Sequence, residues 1–157
     1  AKNDRAHASL AEQLKERTFS RVYEAVVRGR LPEHSGRIDA PVARHPSHRK
    51  KMAVNRIAGK PAATRYEVIA EYAGYSYIRC ILETGRTHQI RVHMAHVGHP
   101  VTGDTVYGGG DEFHIGGQCL HAKSAAFTHP STGERLTFAA NLPDYFEKVL
   151  TILRNRS

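Results

Sequence analysis

The middle of the chain, where a β-rich stretch changes into a helix, constrains the fold most. Residues 63–72 and 75–84 are rich in β-branched and aromatic side chains and are separated only by an Ala-Gly pair, which predicts an antiparallel hairpin. Gly85 ends the second strand, and Thr87 is placed to cap a helix that stops at Gly98. The apolar side of that helix is formed by Ile90, Met94 and Val97.

The remaining elements place strands and helices in an order that favours an α+β fold. Periodicity predicts a helix over 4–17, strands over 19–28, 120–128 and 135–140, and a last helix opening at Pro143. Residues 31–51 contain several prolines and many cations, which predicts a basic loop with at most a short strand around Ile38. We therefore expect one domain over residues 1–157, with a mixed, largely antiparallel sheet, hairpins and flanking helices.

Composition makes nucleic acid the first candidate partner. The chain has 23 Lys and Arg against 15 Asp and Glu, a formal charge of +8, and such a field attracts polyanions, with an anionic membrane surface as the second candidate. No apolar run approaches the ~18 residues of a membrane span, and the first residues do not resemble a signal peptide. Cys80 and Cys119 lie far apart in apolar settings, which favours buried free thiols. We expect a cytoplasmic protein without a membrane partner.

The turn before the central helix is the strongest candidate binding site. Arg86, His88 and Arg91 lie where the chain enters the helix, and the unpaired N–H groups and positive dipole end of a helix start suit phosphate. Ile90 is adjacent to Arg91, so one side chain can contact an apolar ring edge while the other holds an anion. The alternative is a polar surface turn that leads into an amphipathic helix.

Tyr23, in the first predicted strand, is a second candidate, because a tyrosine beside a site can stack on a base and offer a hydroxyl for proton transfer. Its alternative is a core tyrosine.

Two further clusters allow competing interpretations. The basic loop can neutralise phosphates or can be a solvated charge run; its candidate cations are Arg37, Arg44, Arg49, Lys50 and Lys51, with Arg65 and Arg79 nearby. The histidines at 88, 93, 96 and 99 suggest a metal site, but the last lies beyond the Gly98 stop, and HExxH and CxxC motifs are absent from the sequence. We predict no metal site here.

Several strings in order resemble the RluA/RluD-type pseudouridine synthases. The sharpest are the run 82–93, Gly98-His99-Pro100, Gly103-Asp104 and Tyr107-Gly108, supported by 23–29, 51–54, 60–62, 120–122 and 127–130. The resemblance covers nearly the whole chain. It implies isomerisation of uridine in structured RNA, of the ribosomal type, without a cofactor.

The resemblance also implies roles for particular residues. Tyr23 would stack on the base and handle the C5 proton, Arg91 would pair with the catalytic aspartate, and Ile90 would pack against the uracil. A guanidinium keeps its charge and can hold a carboxylate ionised, and an aromatic face offsets part of the cost of unstacking a base.

The family's HRLD-like catalytic aspartate has no counterpart in these 157 residues. Asp39 is out of order, and Asp104 is better explained by a structural role. We therefore expect the chain to be the C-terminal part of a catalytic domain, inactive alone and monomeric. The alternatives are a non-catalytic or truncated RNA-binding module and a histidine-based metallohydrolase.

Overall fold

A computed structural model describes residues 4–15 and 20–156. Three helices lie within these ranges, α1 (Asp4–Lys15), α2 (Gln89–His96) and α3 (Asp144–Arg156). The strands are β1 (Ser20–Arg28), β2 (Ser35–Asp39), β3 (Val42–Arg44), β4 (Met52–Val54), β5 (Ala63–Tyr72), β6 (Tyr75–Leu82), β7 (Leu120–Thr128) and β8 (Arg135–Ala139).

Six of the strands form one sheet in the order β2-β5-β6-β1-β7-β8, and β3 and β4 form a separate hairpin. Every neighbouring pair is antiparallel. The α+β architecture predicted from the sequence is confirmed. Among the described residues, no helix is long and apolar enough to cross a bilayer.

The centre of the sheet is covered on both faces, which explains the unbroken apolar run in β1. Ala25, Val26 and Val27 are fully buried, as expected of a strand packed on both sides. Ala25 and Val27 lie in the cluster that contains the α2 residues Ile90 and Met94. On the opposite face, Val26 clusters with the buried side of α3, formed by Phe146, Val149, Leu150 and Leu153. Burying each such Phe, Val or Leu side chain contributes about 1.5–3 kcal/mol, so the two helices hold β1 between them.

The hairpin, the last helix and the cysteines follow the sequence predictions. β5 and β6 are joined at Ala73 and Gly74, and Gly74 has φ 79°, a conformation that glycine adopts at low cost.

Both cysteines are buried free thiols. Burial raises the pKa of the Cys80 and Cys119 thiols to about 12, so neither is a reactive thiolate near neutral pH.

The prediction of a basic loop was wrong in part. Besides β2 around Ile38, the segment 31–51 contains β3, which pairs with β4 just beyond it. Strands of three residues are too short for alternation to appear in the sequence. We call residues 42–54 the basic hairpin.

Helix and strand ends also differ from the predictions. α1 is described to Lys15, so the predicted end at Arg17 and strand start at Phe19 lie outside the described residues. β6 ends at Leu82 rather than at Thr84, and β8 ends at Ala139 rather than at Ala140. Val97, predicted on the apolar side of the central helix, is 40% exposed because α2 ends one residue earlier.

Candidate active site

The turn that leads into α2 is held by a glutamine side chain rather than by the predicted threonine cap. The N-cap residue is His88, at φ 54° with no side-chain cap, and Thr87 is exposed. The Oε1 atom of Gln89 accepts hydrogen bonds from the Arg86 N–H at 3.0 Å and from the Thr84 hydroxyl at 2.6 Å. The buried Gln89 therefore fixes the path of the turn from inside the protein.

A chain of buried hydrogen bonds continues from Gln89 and anchors α2 to β5. Gln89 Nε2 donates to Thr64 Oγ1 at 2.9 Å and to the Ala63 carbonyl at 3.0 Å. His93, fully buried, contacts Thr64 Oγ1 through Nδ1 and the Ala40 carbonyl through Nε2, both at 2.8 Å.

The direction of each hydrogen bond in this series follows from its donor and acceptor groups. A carbonyl can only accept, so His93 Nε2 carries the proton and Nδ1 accepts from the Thr64 hydroxyl. Burial, the largest effect, lowers the pKa of His93, which keeps the imidazole neutral. We call residues Thr64, Thr84, Gln89 and His93 the α2 anchor.

The anchored turn opens onto a cleft of about 210 Å³ at the end of β6. Its lining consists of Arg21, Tyr23, Leu82, Gly85, Arg86, His88, Gln89, Ile90, Arg91 and Leu120. Tyr23 reaches it because it lies on the same face of β1 as Ala25 and Val27, which pack toward α2. The structure thus brings together five residues singled out in the sequence: Tyr23, Arg86, His88, Ile90 and Arg91.

Gly85 and Arg21 meet in this cleft, and the sequence reasoning missed Arg21. A Cβ atom on Gly85 would lie 1.9 Å from Arg21 Nη2, so the guanidinium would have to move if another residue stood there. Gly85 was predicted as a strand terminator, which explains why its packing role was not anticipated. A second cation, Arg21, therefore borders the same cleft as Arg91.

Arg91 is held by a carboxylate of the following loop. Its Nε lies 2.8 Å from Asp104 Oδ2 and its Nη2 lies 3.1 Å from Oδ1. The Asp104 side chain is 1% exposed and that of Arg91 12%, so the pair is largely desolvated. This hydrogen bonding, the largest effect, raises the pKa of Arg91. A bidentate contact of this kind fixes the plane of the guanidinium.

Tyr107, to which the sequence reasoning gave no role, connects Arg91 to the basic hairpin. The centre of its ring lies 5.0 Å from the Arg91 guanidinium carbon and 5.5 Å from Lys51 Nζ. Its hydroxyl lies 2.8 Å from the Met52 backbone nitrogen and 2.9 Å from His88 Nδ1. The only signal was the Tyr107-Gly108 string, because the partners are far away along the chain.

The other predicted binding residues lie beside the cleft rather than in it. Arg44, Lys50 and Lys51 belong to the basic hairpin and are not among the residues that line the cleft. Arg44 Nη1 donates to the Arg49 carbonyl at 2.5 Å, and Lys50 is exposed. Through Tyr107, Lys51 is nonetheless connected to the cleft residues.

Two of the further cations are engaged in ion pairs. Arg37 contacts Glu83 at 2.7 Å and Asp39 at 3.1 Å, and Arg79 contacts Glu67 at 3.3 Å. These pairs are partly exposed and contribute little to stability. The candidate phosphate track is therefore represented most clearly by the basic hairpin.

The clustered histidines do not converge on a metal. In residues 4–15 and 20–156, no group of three or more His, Cys, Asp or Glu side chains is arranged to hold one. His93 has both ring nitrogens engaged in the α2 anchor, and His99 Nδ1 contacts the Arg28 carbonyl.

Comparison with known proteins agrees with this architecture. The family model described as RNA pseudouridylate synthase matches residues 1–96. The chain is 46% identical to ribosomal large subunit pseudouridine synthase D of Neisseria meningitidis and 45% identical to the RNA pseudouridine synthase YlyB of Bacillus subtilis, covering 98% of this chain in each case. It spans 44% and 50% of the lengths of those proteins.

A solved structure of human RNA pseudouridylate synthase domain containing 1 has the same fold. It superimposes with a TM-score of 0.73 at 26% identity, over 98% of this chain and 73% of the human one. The sequence motifs, the fold and the matched family model agree. The chain therefore belongs to the RNA pseudouridylate synthase family.

Proposed function

We propose that the chain contributes the tyrosine and the arginine to the active site of an RNA pseudouridine synthase. This enzyme is an isomerase that acts on ribosomal RNA. The observation that carries the proposal is the convergence of Tyr23, Ile90 and Arg91 on one cleft. In the reaction the bond between N1 of uracil and the ribose breaks, the base turns and C5 bonds to the ribose. C5 then loses its proton and N1 takes up a proton, so that the product is an isomer of uridine.

The cleft offers a suitable setting for a uracil taken out of its stack. Ile90 is 4% exposed and gives the cleft an apolar floor, while Tyr23 offers a ring for stacking and a hydroxyl for the C5 proton. Together they offset part of the cost of extruding the base, a few kcal/mol.

The catalytic aspartate of this proposal comes from an HRLD-like segment upstream of residue 1. Arg91 is the group that receives it. Asp104 occupies the Nε and Nη2 atoms of the guanidinium, and an arginine has five N–H donors, so Nη1 remains to pair with a second carboxylate.

The basic hairpin supports RNA as the partner. Exposed Arg44 and Lys50 lie with Lys51 on one short hairpin beside the cleft, where each phosphate contact releases counterions. The proposal describes a monomer acting in the cytoplasm without a cofactor.

Nucleoside analysis of large-subunit ribosomal RNA tests the function. The chain, extended upstream through the HRLD-like segment, is incubated with unmodified RNA, which is then digested and separated by chromatography because the two isomers have the same mass. Pseudouridine should appear with the extended protein and not with a matched variant carrying HRLD-like Asp→Asn. Tight RNA binding with no pseudouridine would favour the alternative, a non-catalytic binding module.

A further inference from the structure

The hydrogen bonds of Tyr107 favour one tautomer of a neutral His88. A backbone N–H can only donate, so the Tyr107 oxygen accepts from Met52 at 2.8 Å. The hydroxyl has one proton, and among the described residues its other hydrogen-bond partner is His88 Nδ1 at 2.9 Å. Donation from Tyr107 to Nδ1 gives the hydroxyl proton an acceptor, and it places the proton of a neutral His88 imidazole on Nε2.

The surroundings of His88 favour the neutral ring. Burial is the largest effect that lowers its pKa, the nearby cations Arg91 and Arg44 lower it further, and Asp104 acts in the opposite direction. Lys51, over the ring of Tyr107, adds another positive charge near the pair. His88 is thus an uncharged group among cations.

The backbone and ring contacts restrict His88 to one orientation. Its φ of 54° lies in the left-handed region, which is uncommon for residues other than glycine. Its ring meets that of Tyr107 edge-on, with centroids 5.7 Å apart and planes at 81°. Within the part of the chain that the structure describes, Nε2 has no hydrogen-bond partner, and His88 lines the cleft. The Nε2–H is therefore the polar edge that this ring offers to a ligand.

We propose that Tyr107 is a positioning residue that fixes His88 as a neutral Nε2–H donor, and that this donor binds an acceptor oxygen of the nucleotide held in the cleft. The second half of the inference rests on the proposed function; the first half concerns the folded protein alone. The acceptor is a carbonyl oxygen of the target uracil or an oxygen of the adjoining phosphate. Arg91 and Arg21 supply positive charge to the cleft, and His88 supplies a hydrogen-bond donor in a fixed orientation.

Nitrogen NMR of the histidine rings tests the first half without RNA or turnover. The protein, extended upstream through the HRLD-like segment and labelled with ¹⁵N-histidine, should show His88 neutral with its proton on Nε2 at neutral pH; His88→Gly identifies its signals. Tyr107→Phe keeps the ring but removes the donor to Nδ1, so the pKa of His88 should rise. An Nδ1–H or cationic His88 in the wild type would overturn the inference, as would an unchanged pKa in a folded Tyr107→Phe protein. If that variant does not fold, the wild-type tautomer decides.

Kinetics with substituted RNA test the second half. His88→Gly relieves the backbone and removes the donor, and should lower kcat/KM about tenfold, the typical effect of one hydrogen bond. His88→Gln, which retains an N–H donor, should recover part of the loss. Two substrates carry sulfur in place of a uracil carbonyl oxygen or of a phosphate oxygen. The substitution at the acceptor should lower the activity of the wild type but not that of His88→Gly. The position with this effect identifies the acceptor.

Full activity in His88→Gly would contradict a role in binding the nucleotide. Equal sensitivity of the wild type and His88→Gly to every sulfur substitution would do the same. An inactive wild-type protein whose His88 is the Nε2–H tautomer would instead reject the proposed function and leave the positioning by Tyr107 intact.

Discussion

At the scale of single residues, the cleft is built by positions that are far apart in the chain. Tyr23 is placed by the alternation of β1, Ile90 and Arg91 by the first turn of α2, and Asp104 by the loop that follows. Asp104 is 1% exposed, so it orients Arg91 from inside the protein. A guanidinium held on one edge and open on another is suited to pair with a second carboxylate, the role that the proposed function gives it.

Arg91→Ala is therefore expected to lower turnover in the extended protein by about 100-fold or more, as for a lost charge-stabilising group. RNA affinity should weaken only mildly, because the basic hairpin is unchanged. Single-turnover rates and filter binding measure the two effects separately.

The double variant Arg91→Ala with Asp104→Ala is the control for this prediction, because Arg91→Ala alone leaves a buried carboxylate without its partner. Turnover should remain lost when both groups are removed. Recovery of turnover in the double variant, or normal turnover in Arg91→Ala, would contradict the role given to Arg91.

At the scale of elements, α2 is attached to the sheet by apolar packing and by the α2 anchor. Ile90 and Met94 pack toward β1 and β6, while Gln89 and His93 are hydrogen-bonded to Thr64 of β5. Buried polar groups are costly unless all are satisfied. The position of the turn that carries Arg86 and His88 therefore depends on this network of hydrogen bonds.

The folding stability should consequently decrease in mild acid. The pKa of His93 in the folded protein lies below its ordinary value of 6.5, so the unfolded chain binds more protons and stability rises with pH. The free energy of unfolding should fall as pH drops through 6.5, by up to about 1.4 kcal/mol per pH unit from this residue. Urea unfolding between neutral and mildly acidic pH measures it.

His93→Gln isolates this contribution from that of the other histidines, since it keeps a polar side chain that does not titrate. The difference in unfolding free energy between wild type and variant should diminish toward lower pH. A difference that does not change with pH would show that His93 titrates alike in the folded and unfolded chains.

The elements also show what the sequence allowed us to predict and what it did not. Long periodic segments such as β5, β6 and α3 were predicted because alternation or helical spacing repeats several times in each. β3 and β4 were not, since three residues give no repeat. The sequence predicts Thr87 as the cap because threonine is common at that position, but the buried side chain of Gln89 determines the turn.

The same distinction applies to the candidate site. Tyr23, Ile90 and Arg91 were assigned through motifs that are continuous in sequence, and the structure places them in one cleft. The contacts of Tyr107 with Met52 and Arg91 join separate segments through hydroxyl and ring geometry. No local pattern encodes such contacts.

At the scale of the protein as a whole, two groups of cations are neighbours: those of the basic hairpin and those that line the cleft. A formal charge of +8 attracts polyanions in general, and in the proposed function the cations beside the cleft would hold the RNA in register. Tyr107 joins the two regions, since it contacts Lys51 of the hairpin and Arg91 of the cleft.

Replacing Lys50 and Lys51 by alanine should weaken RNA binding and make it less dependent on salt. Loss of two phosphate contacts is expected to reduce the slope of log affinity against log salt by about 1.5. Lys148→Ala with Arg154→Ala removes the same charge from exposed positions of α3, on the other face of the sheet, and should leave the slope nearly unchanged. Equal slopes for the two double variants would remove the basic hairpin from the RNA path.

Tritium release from large-subunit ribosomal RNA that contains 5-tritiated uridine tests the proposed function most directly. The 157-residue chain is compared with the same chain extended upstream through the HRLD-like segment. Release is expected from the extended protein only, because in the proposed function the chain supplies Tyr23 and Arg91 and the upstream segment supplies the aspartate. Release by the 157-residue chain alone would contradict it, and would place the nucleophile among the chain's own carboxylates, beginning with Asp39 and Asp104.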